Sequence, residues 1–232
     1  VATKAEAGAL PGALAEEYTA RWSELAGRWA ARPGTTLGTL GPAGTSSDLA
    51  ARFLAAEHGL RVELFATFDD VLRQLLDGVV ELALVPSAYG GLTGFHWHRD
   101  LRLRAFFPQA TPEYGIASAA AGSGTAAAVP PGEGPVAVAA MWEVRRIYAE
   151  VAPPGLAGRE VVWVDAASTQ HAAEILAGGG AELAVTNAPG VRAHGLSWVA
   201  RRPGAEIIWT LFGRAEGSEL GSATAELRPS PA

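Results

Sequence analysis

The chain has 232 residues, 49% of them hydrophobic, which is enough to bury one or two real cores. Its formal net charge is −6 and it carries no Lys- or Arg-rich run, so a nucleic-acid partner is not expected. It has no cysteine, which excludes disulfides, zinc–thiolate sites and thiol nucleophiles.

No basic flank precedes an apolar run near the N-terminus, and no stretch approaches the ~20 apolar residues of a membrane span. The expectation is a cytoplasmic enzyme or binding protein with no membrane partner. Leu14, Tyr18, Trp22, Leu25 and Trp29 recur at spacings of one helical face, and Pro33-Gly34 ends that helix. Such a face either docks on the main body or makes a dimer contact. After Pro33 strands and helices alternate. Thr35–Leu40 reads as a strand, Ser47–Glu57 as a helix with Leu49, Phe53 and Leu54 on one face, and Val62–Phe65 as a strand. Phe68–Leu76 reads as a helix, with Asp69 and Asp70 in the first turn where the helix dipole favours them. Leu82–Val85 is an apolar run stopped by Pro86, the pattern of a strand covered on both faces. Arg102–Phe107 alternates as a further strand.

Residues 119–135, rich in Ala, Gly, Ser and Pro, read as a loop. The alternation then restarts with a strand at Val136–Ala139, a helix at Trp142–Val151, a strand at Val161–Val164 and a helix at Thr169–Leu176. Leu183–Val185 reads as a strand, Pro189–His194 as a short helix, and Trp198–Ala200 and Ile207–Phe212 as closing strands. The expected class is α/β with mostly parallel sheets in two lobes. The boundaries read as a helical segment over 1–33, a first lobe over 34–108 and 197–216, a second over 109–196, and a polar tail over 217–232. Ligands of open α/β sheets sit beyond the carboxyl ends of the strands, which places a site in the cleft between the lobes.

Two segments there share one pattern. Gly41-Pro42-Ala43-Gly44-Thr45-Ser46-Ser47 joins a strand to a helix, and Ser168-Thr169 does the same in the second half. Free N–H groups and hydroxyls at a helix start suit an anion, although each segment alone also reads as an ordinary N-cap. One per lobe points to a ligand with a carboxylate at each end. Val85-Pro86-Ser87-Ala88-Tyr89-Gly90-Gly91 ends another strand on the same edge and offers the Tyr89 phenol. His98 and Arg99 are candidate cations for a carboxylate. His96 and His98 alternate as a metal pair does, but no carboxylate at a motif spacing supports them, so no metal is expected.

These segments, in order over about residues 36–215, resemble the prephenate dehydratase catalytic module. The family's Gly-Pro-x-Gly-Thr-Phe-Ser loop is similar to residues 41–47, its Val-Pro-Ile-Glu-Asn-Ser segment to residues 85–90, and its Ser-Thr helix start to Ser168-Thr169. Its Tyr-Gly-Leu element is similar to His194-Gly195-Leu196, and its Asn-x-Thr-Arg-Phe strand to Ile208-Trp209-Thr210-Leu211-Phe212. The resemblance implies a fold like type II periplasmic binding proteins, with the chain crossing twice between lobes. The family's Glu-Asn pair is Ala88-Tyr89 here, and its Asn and Arg beside the threonine are Ile208 and Leu211. That threonine assists departure of the ring hydroxyl, so these changes remove help that dehydration needs.

The altered pattern resembles the prephenate decarboxylases of the bacilysin pathway and related natural-product pathways, a non-aromatising branch. It lies in Gly44-Thr45-Ser46-Ser47, Ala88-Tyr89, Thr111-Pro112 with Tyr114-Gly115, Thr186-Asn187, and Trp209 with Leu211-Phe212-Gly213. Many relatives carry Ser-His-Pro where this chain has Ala139-Ala140-Met141. The resemblance implies a lyase that takes CO2 from prephenate, keeps the hydroxyl, yields a dihydro-4-hydroxyphenylpyruvate for antibiotic biosynthesis and needs no cofactor. It implies Tyr89 and Thr210 as catalytic residues. Thr45, Ser46, Ser47, Ala88, His98, Arg99, Ser168, Thr169, Thr186, Asn187 and Leu211 are then the candidate substrate contacts. It also suggests a homodimer without the regulatory amino-acid-binding domain of housekeeping dehydratases. The alternatives are a dehydratase giving phenylpyruvate, an enzyme of another cyclohexadienyl acid, and a non-catalytic binding protein of the same fold.

Overall fold

The computed structural model describes residues 12–119, 132 and 134–215. The tail at 217–232, residues 1–11 and most of the loop expected at 119–135 lie outside the described residues. Helix α1 (Gly12–Ala31) is followed by β1 (Thr36–Leu40), α2 (Ser46–His58), β2 (Arg61–Phe65), α3 (Phe68–Leu76), β3 (Leu82–Pro86), α4 (Leu92–His96) and β4 (Leu101–Ala110). Then come β5 (Tyr114–Ser118), β6 (Val136–Ala140), and a 3-10 turn at Trp142–Val144 that runs into α5 (Arg145–Val151). The chain ends through β7 (Val161–Asp165), α6 (Thr169–Ala177), β8 (Leu183–Asn187), α7 (Ala188–Ala193), β9 (Ser197–Arg202) and β10 (Glu206–Arg214).

The strands make two five-stranded sheets, ordered β2-β1-β3-β10-β4 and β7-β6-β8-β5-β9. The two orders repeat one topology. In each sheet the βαβ units supply two parallel pairings, and a strand arriving from the other lobe adds two antiparallel ones. The two-lobed α/β class is therefore as expected, but each sheet is evenly mixed rather than mostly parallel. The boundary expected at residue 197 also moves. β9 pairs with β5 from Ser197 to Arg202, so the second lobe keeps its last strand and the chain returns only through Pro203–Ala205. The other crossing is Thr111–Glu113, between β4 and β5.

Each sheet is covered on both faces. In the first lobe Leu37, Leu84 and Leu211 pack under α1 and α2, while Ala83, Val85 and Phe212 pack under α3 and α4. Helix α1 docks through Leu25 and Trp29, Tyr18 Oη donates to Phe106 O at 2.8 Å, and Trp29 lies 4.9 Å from the His58 ring. The inner face of α2 differs from the expectation. Leu49 and Phe53 are exposed, and Ala50, Ala51 and Leu54 are buried. Small residues let this helix approach the sheet closely, which brings its first turn over the strand ends.

Candidate active site

The two lobes enclose a cleft of about 230 Å³, room for a small metabolite. Its walls are largely apolar, with Phe68, Met141, Val144, Ile147, Ile207 and Trp209 among the lining residues. Two helix starts face it. At α2, Thr45 is the N-cap. Its hydroxyl donates to Leu40 O at 2.8 Å and accepts from Asp48 N at 3.1 Å, while Asp48 in turn accepts from Gly44 N at 2.9 Å. The cap holds the turn, and the next hydroxyls serve the cleft. Ser47 is buried and lines it. Ser46 Oγ lies 2.5 Å from Tyr114 Oη, which belongs to the opposite lobe. Burial pushes the Tyr114 phenol up, and its Ser46 bond partly offsets this. At α6, Ser168 Oγ accepts from His171 N at 3.1 Å as the N-cap, and Thr169 follows, buried and lining the cleft. Two helix N-termini in an apolar surround favour negative charge, and α2 already carries Asp48 in its first turn.

Tyr89 lies on the loop after β3, half-buried against Phe68 at 4.4 Å between ring centroids. A side chain on Gly91 would strike its ring at 2.6 Å, so glycine there leaves room for the phenol. Burial first, then the charges of Asp69 and Glu143, push the Tyr89 phenol above the ordinary tyrosine value. Its hydroxyl is 3.5 Å from Asp69 Oδ1, a long and weak contact.

The lobes are latched beside the site. Gly44 O accepts from Gln170 Nε2 at 2.9 Å and from Asn187 Nδ2 at 3.2 Å, both buried side chains of the second lobe. Gly44 has φ +87°, and a Cβ there would lie 2.9 Å from Gln170 Nε2. Any other residue would strain the loop and push the latch apart.

The cleft thus gathers Thr45, Ser46, Ser47, Ala88, Tyr89, Ser168 and Thr169 from the residues expected of it. The others sit elsewhere. Thr210 is buried but not among the lining residues, because its hydroxyl donates to Val85 O at 2.6 Å in the neighbouring strand. Leu211 is fully buried in the core beneath α1 and α2. Ile208 is exposed. His98 and Arg99 both engage Asp100 beyond α4, outside the lining, so neither serves as the cleft's cation. Thr186 and Asn187 are wholly buried behind it. Thr186 Oγ1 donates to Thr169 O at 2.6 Å, and Asn187 Oδ1 accepts from Gly190 N and Gln170 Nε2. They position α6 rather than touch the cleft.

Three titratable lining residues were not among the site residues expected from the sequence. Arg202, at the end of β9, is the one cation among the described lining residues, and Glu150 holds it at 2.6 Å. Glu143 is the one carboxylate there, and Tyr114 supplies a second phenol. Arg202 carried no clean signal, because a register shift between Trp198 and Ala200 breaks the alternation along β9. Glu143 carried no signal beyond an acidic residue near a helix start. Among the described residues no group of three or more His, Cys, Asp or Glu is placed to hold a metal, and no helix is long and apolar enough to cross a membrane.

No family model matches the chain. It is 29% identical over 191 residues to a prephenate decarboxylase of Bacillus subtilis, covering 78% of this chain and 87% of that protein. It is 28% identical over 190 residues to one of Planktothrix agardhii, covering 76% and 86%. A solved prephenate dehydratase from Arthrobacter aurescens, in complex with L-Phe, superimposes with a TM-score of 0.55 at 18% identity. That match covers 78% of this chain and 60% of the other. The periplasmic domain of BvgS from B. pertussis gives 0.52 at 13% identity, covering 84% and 40%. The two structures show the fold, a two-lobed architecture of periplasmic-binding-protein type. The similarity to prephenate decarboxylases read from the motifs is borne out by the sequence relatives.

Proposed function

We propose that the protein removes CO2 from prephenate without aromatising the ring. The observation that carries this reading is Thr210. A dehydratase needs its threonine hydroxyl at the departing alcohol, and here that proton is committed to the Val85 carbonyl inside the sheet. The geometry then offers anion anchors and a ring-sized apolar space. One carboxylate meets the N–H groups and hydroxyls at Ser46–Ser47, the other those at Ser168–Thr169, and Arg202, paired with Glu150, is the only cation among the described lining residues. Phe68, Trp209 and Ile147 wall the ring. An apolar wall disfavours the ring carboxylate and favours uncharged CO2.

Loss of CO2 leaves an electron pair spread over the ring. Expelling hydroxide would give an arene, so a proton must reach carbon first. Tyr89 is the donor in this reading. Its raised pKa keeps the phenol protonated through the neutral range. The test is direct: incubate the protein with prephenate, capture CO2 and record the product by NMR. Vinylic ring protons with a retained carbinol are expected, and phenylpyruvate would refute the reading. The finer reading, supported by the motif resemblance, is a cytoplasmic homodimer feeding an antibiotic-type pathway to a non-proteinogenic amino acid. Light scattering in solution tests the dimer.

A further inference from the structure

We infer that Glu143 selects for the ring hydroxyl, accepting its hydrogen bond while offering the hydroxyl oxygen no proton of its own. This rests on the decarboxylase reading and deepens it. Glu143 is the only carboxylate among the described lining residues of a cleft whose proposed ligand is a dianion. Repulsion places it away from the ligand's carboxylates, so it must face the uncharged end.

The second lobe gives that end a position. Glu143 Oε1 lies 3.4 Å from Gly90 N on the Tyr89 loop. Arg202 is held by Glu150, seven residues further along the 3-10 turn and α5. At 1.5 Å per helical residue the two glutamates are roughly 10 Å apart along this wall. Val144 and Ile147 lie between them and line the cleft. One wall therefore carries a cation at one end, an apolar middle, and a carboxylate beside a phenol at the other. Prephenate has the same polarity: both acid-bearing substituents sit on one ring carbon and the hydroxyl on the carbon opposite.

The chemistry follows from that orientation. When the bond from the ring carbon to the carboxylate breaks, CO2 leaves and its electron pair spreads to the two carbons flanking the carbinol. Those carbons then lie at the Tyr89 end. Transfer of the phenolic proton to one of them forms a C–H bond and conjugates the two remaining double bonds. Water restores the phenol's proton. The competing path pushes the pair onto oxygen and expels hydroxide, which requires a donor at that oxygen. A carboxylate has acceptor sites only. It reads the hydroxyl as a donor and gives its oxygen no help in leaving.

The experiment uses the full chain, prephenate, and the same dianion lacking the ring hydroxyl. Wild-type protein should bind prephenate at least about tenfold more tightly than the deoxy compound, and Glu143→Leu should erase that preference. Glu143→Gln keeps the shape but adds an N–H donor, and should raise the aromatic share of product at least roughly tenfold. A wild-type protein that does not distinguish the two ligands overturns the inference while leaving decarboxylation standing. So do variants that weaken both ligands equally and form no arene, since that is the behaviour of a simple contact between lobes. A wild-type protein that releases no CO2 removes the reading beneath the inference, and the inference with it.

Discussion

Thr210→Val separates the decarboxylase reading from a dehydratase most cleanly. The substitution is nearly isosteric and removes one proton, which Thr210 Oγ1 donates to Val85 O at 2.6 Å. Thr210 is buried, so the lost bond is not replaced by water. A net hydrogen bond of this kind contributes about 0.5–1.5 kcal/mol, and in a protein of this size each kcal/mol moves Tm by roughly 2–4 °C. The expected result is therefore a melting point a few degrees lower. Val at a strand position offsets part of this through its β preference. Turnover of prephenate should stay within about twofold of wild type, because no atom of Thr210 lines the cleft. Were the hydroxyl a donor at the reacting alcohol, its loss would cost roughly 10²–10³ in kcat. The assay is CO2 release under saturating prephenate, paired with a thermal melt of the same preparation. A loss of more than about tenfold in kcat with an unchanged melting point would refute the placement of Thr210 outside the chemistry.

Four further outcomes are expected. Tyr89→Phe should bind prephenate normally and lose about 10²–10⁴ in kcat, by calorimetry and CO2 release. The Tyr89 pKa is raised, so the donating form persists to higher pH, and wild-type kcat should fall only above the ordinary tyrosine value of about 10. A basic limb near neutrality would exclude this phenol. Gln170→Ala removes one of the two bonds to Gly44 O and should weaken binding roughly two- to tenfold by loosening closure, with a larger radius by small-angle scattering. Arg202→Met should raise KM by about tenfold or more with a smaller change in kcat, measured by steady-state kinetics.

The alternation of strands and helices made the two lobes legible, since apolar runs bounded by Gly and Pro report strand ends directly. β5 escaped notice because Tyr114–Ser118 is buried on both faces and runs into the Ala- and Gly-rich stretch after it, so no alternation marks it. α4 is five residues after Gly91 with Gly94 inside it, too short to show a period. The mixed pairing of each sheet comes from β10 and β5 entering from the other lobe, a long-range fact that no local pattern carries. The same limit decided the fate of Thr210. A strand residue's face depends on register, and one step reverses it. Trp209 lines the cleft and Thr210, next to it, does not.

Hydroxyls that look equivalent in the motifs part company once their single protons are followed. Thr45, Thr186 and Thr210 each spend theirs on a backbone carbonyl, of Leu40, Thr169 and Val85 respectively. They hold strands and helix starts in place and have no proton left for a ligand. Ser168 only accepts, from His171 N, so its proton stays available beside Thr169. Ser46 and Tyr114 share one hydrogen bond between two hydroxyls, which leaves one proton of the pair free. The Ser47 hydroxyl lines the cleft and carries a proton of its own. What remains along the helix starts is thus a set of donors, with Arg202 as a further one. A lining that offers protons at its anchors fits a ligand whose anchored groups only accept, as carboxylates do. Glu143 is the exception in that lining, and an exception of opposite sense is what a ligand with one alcohol requires.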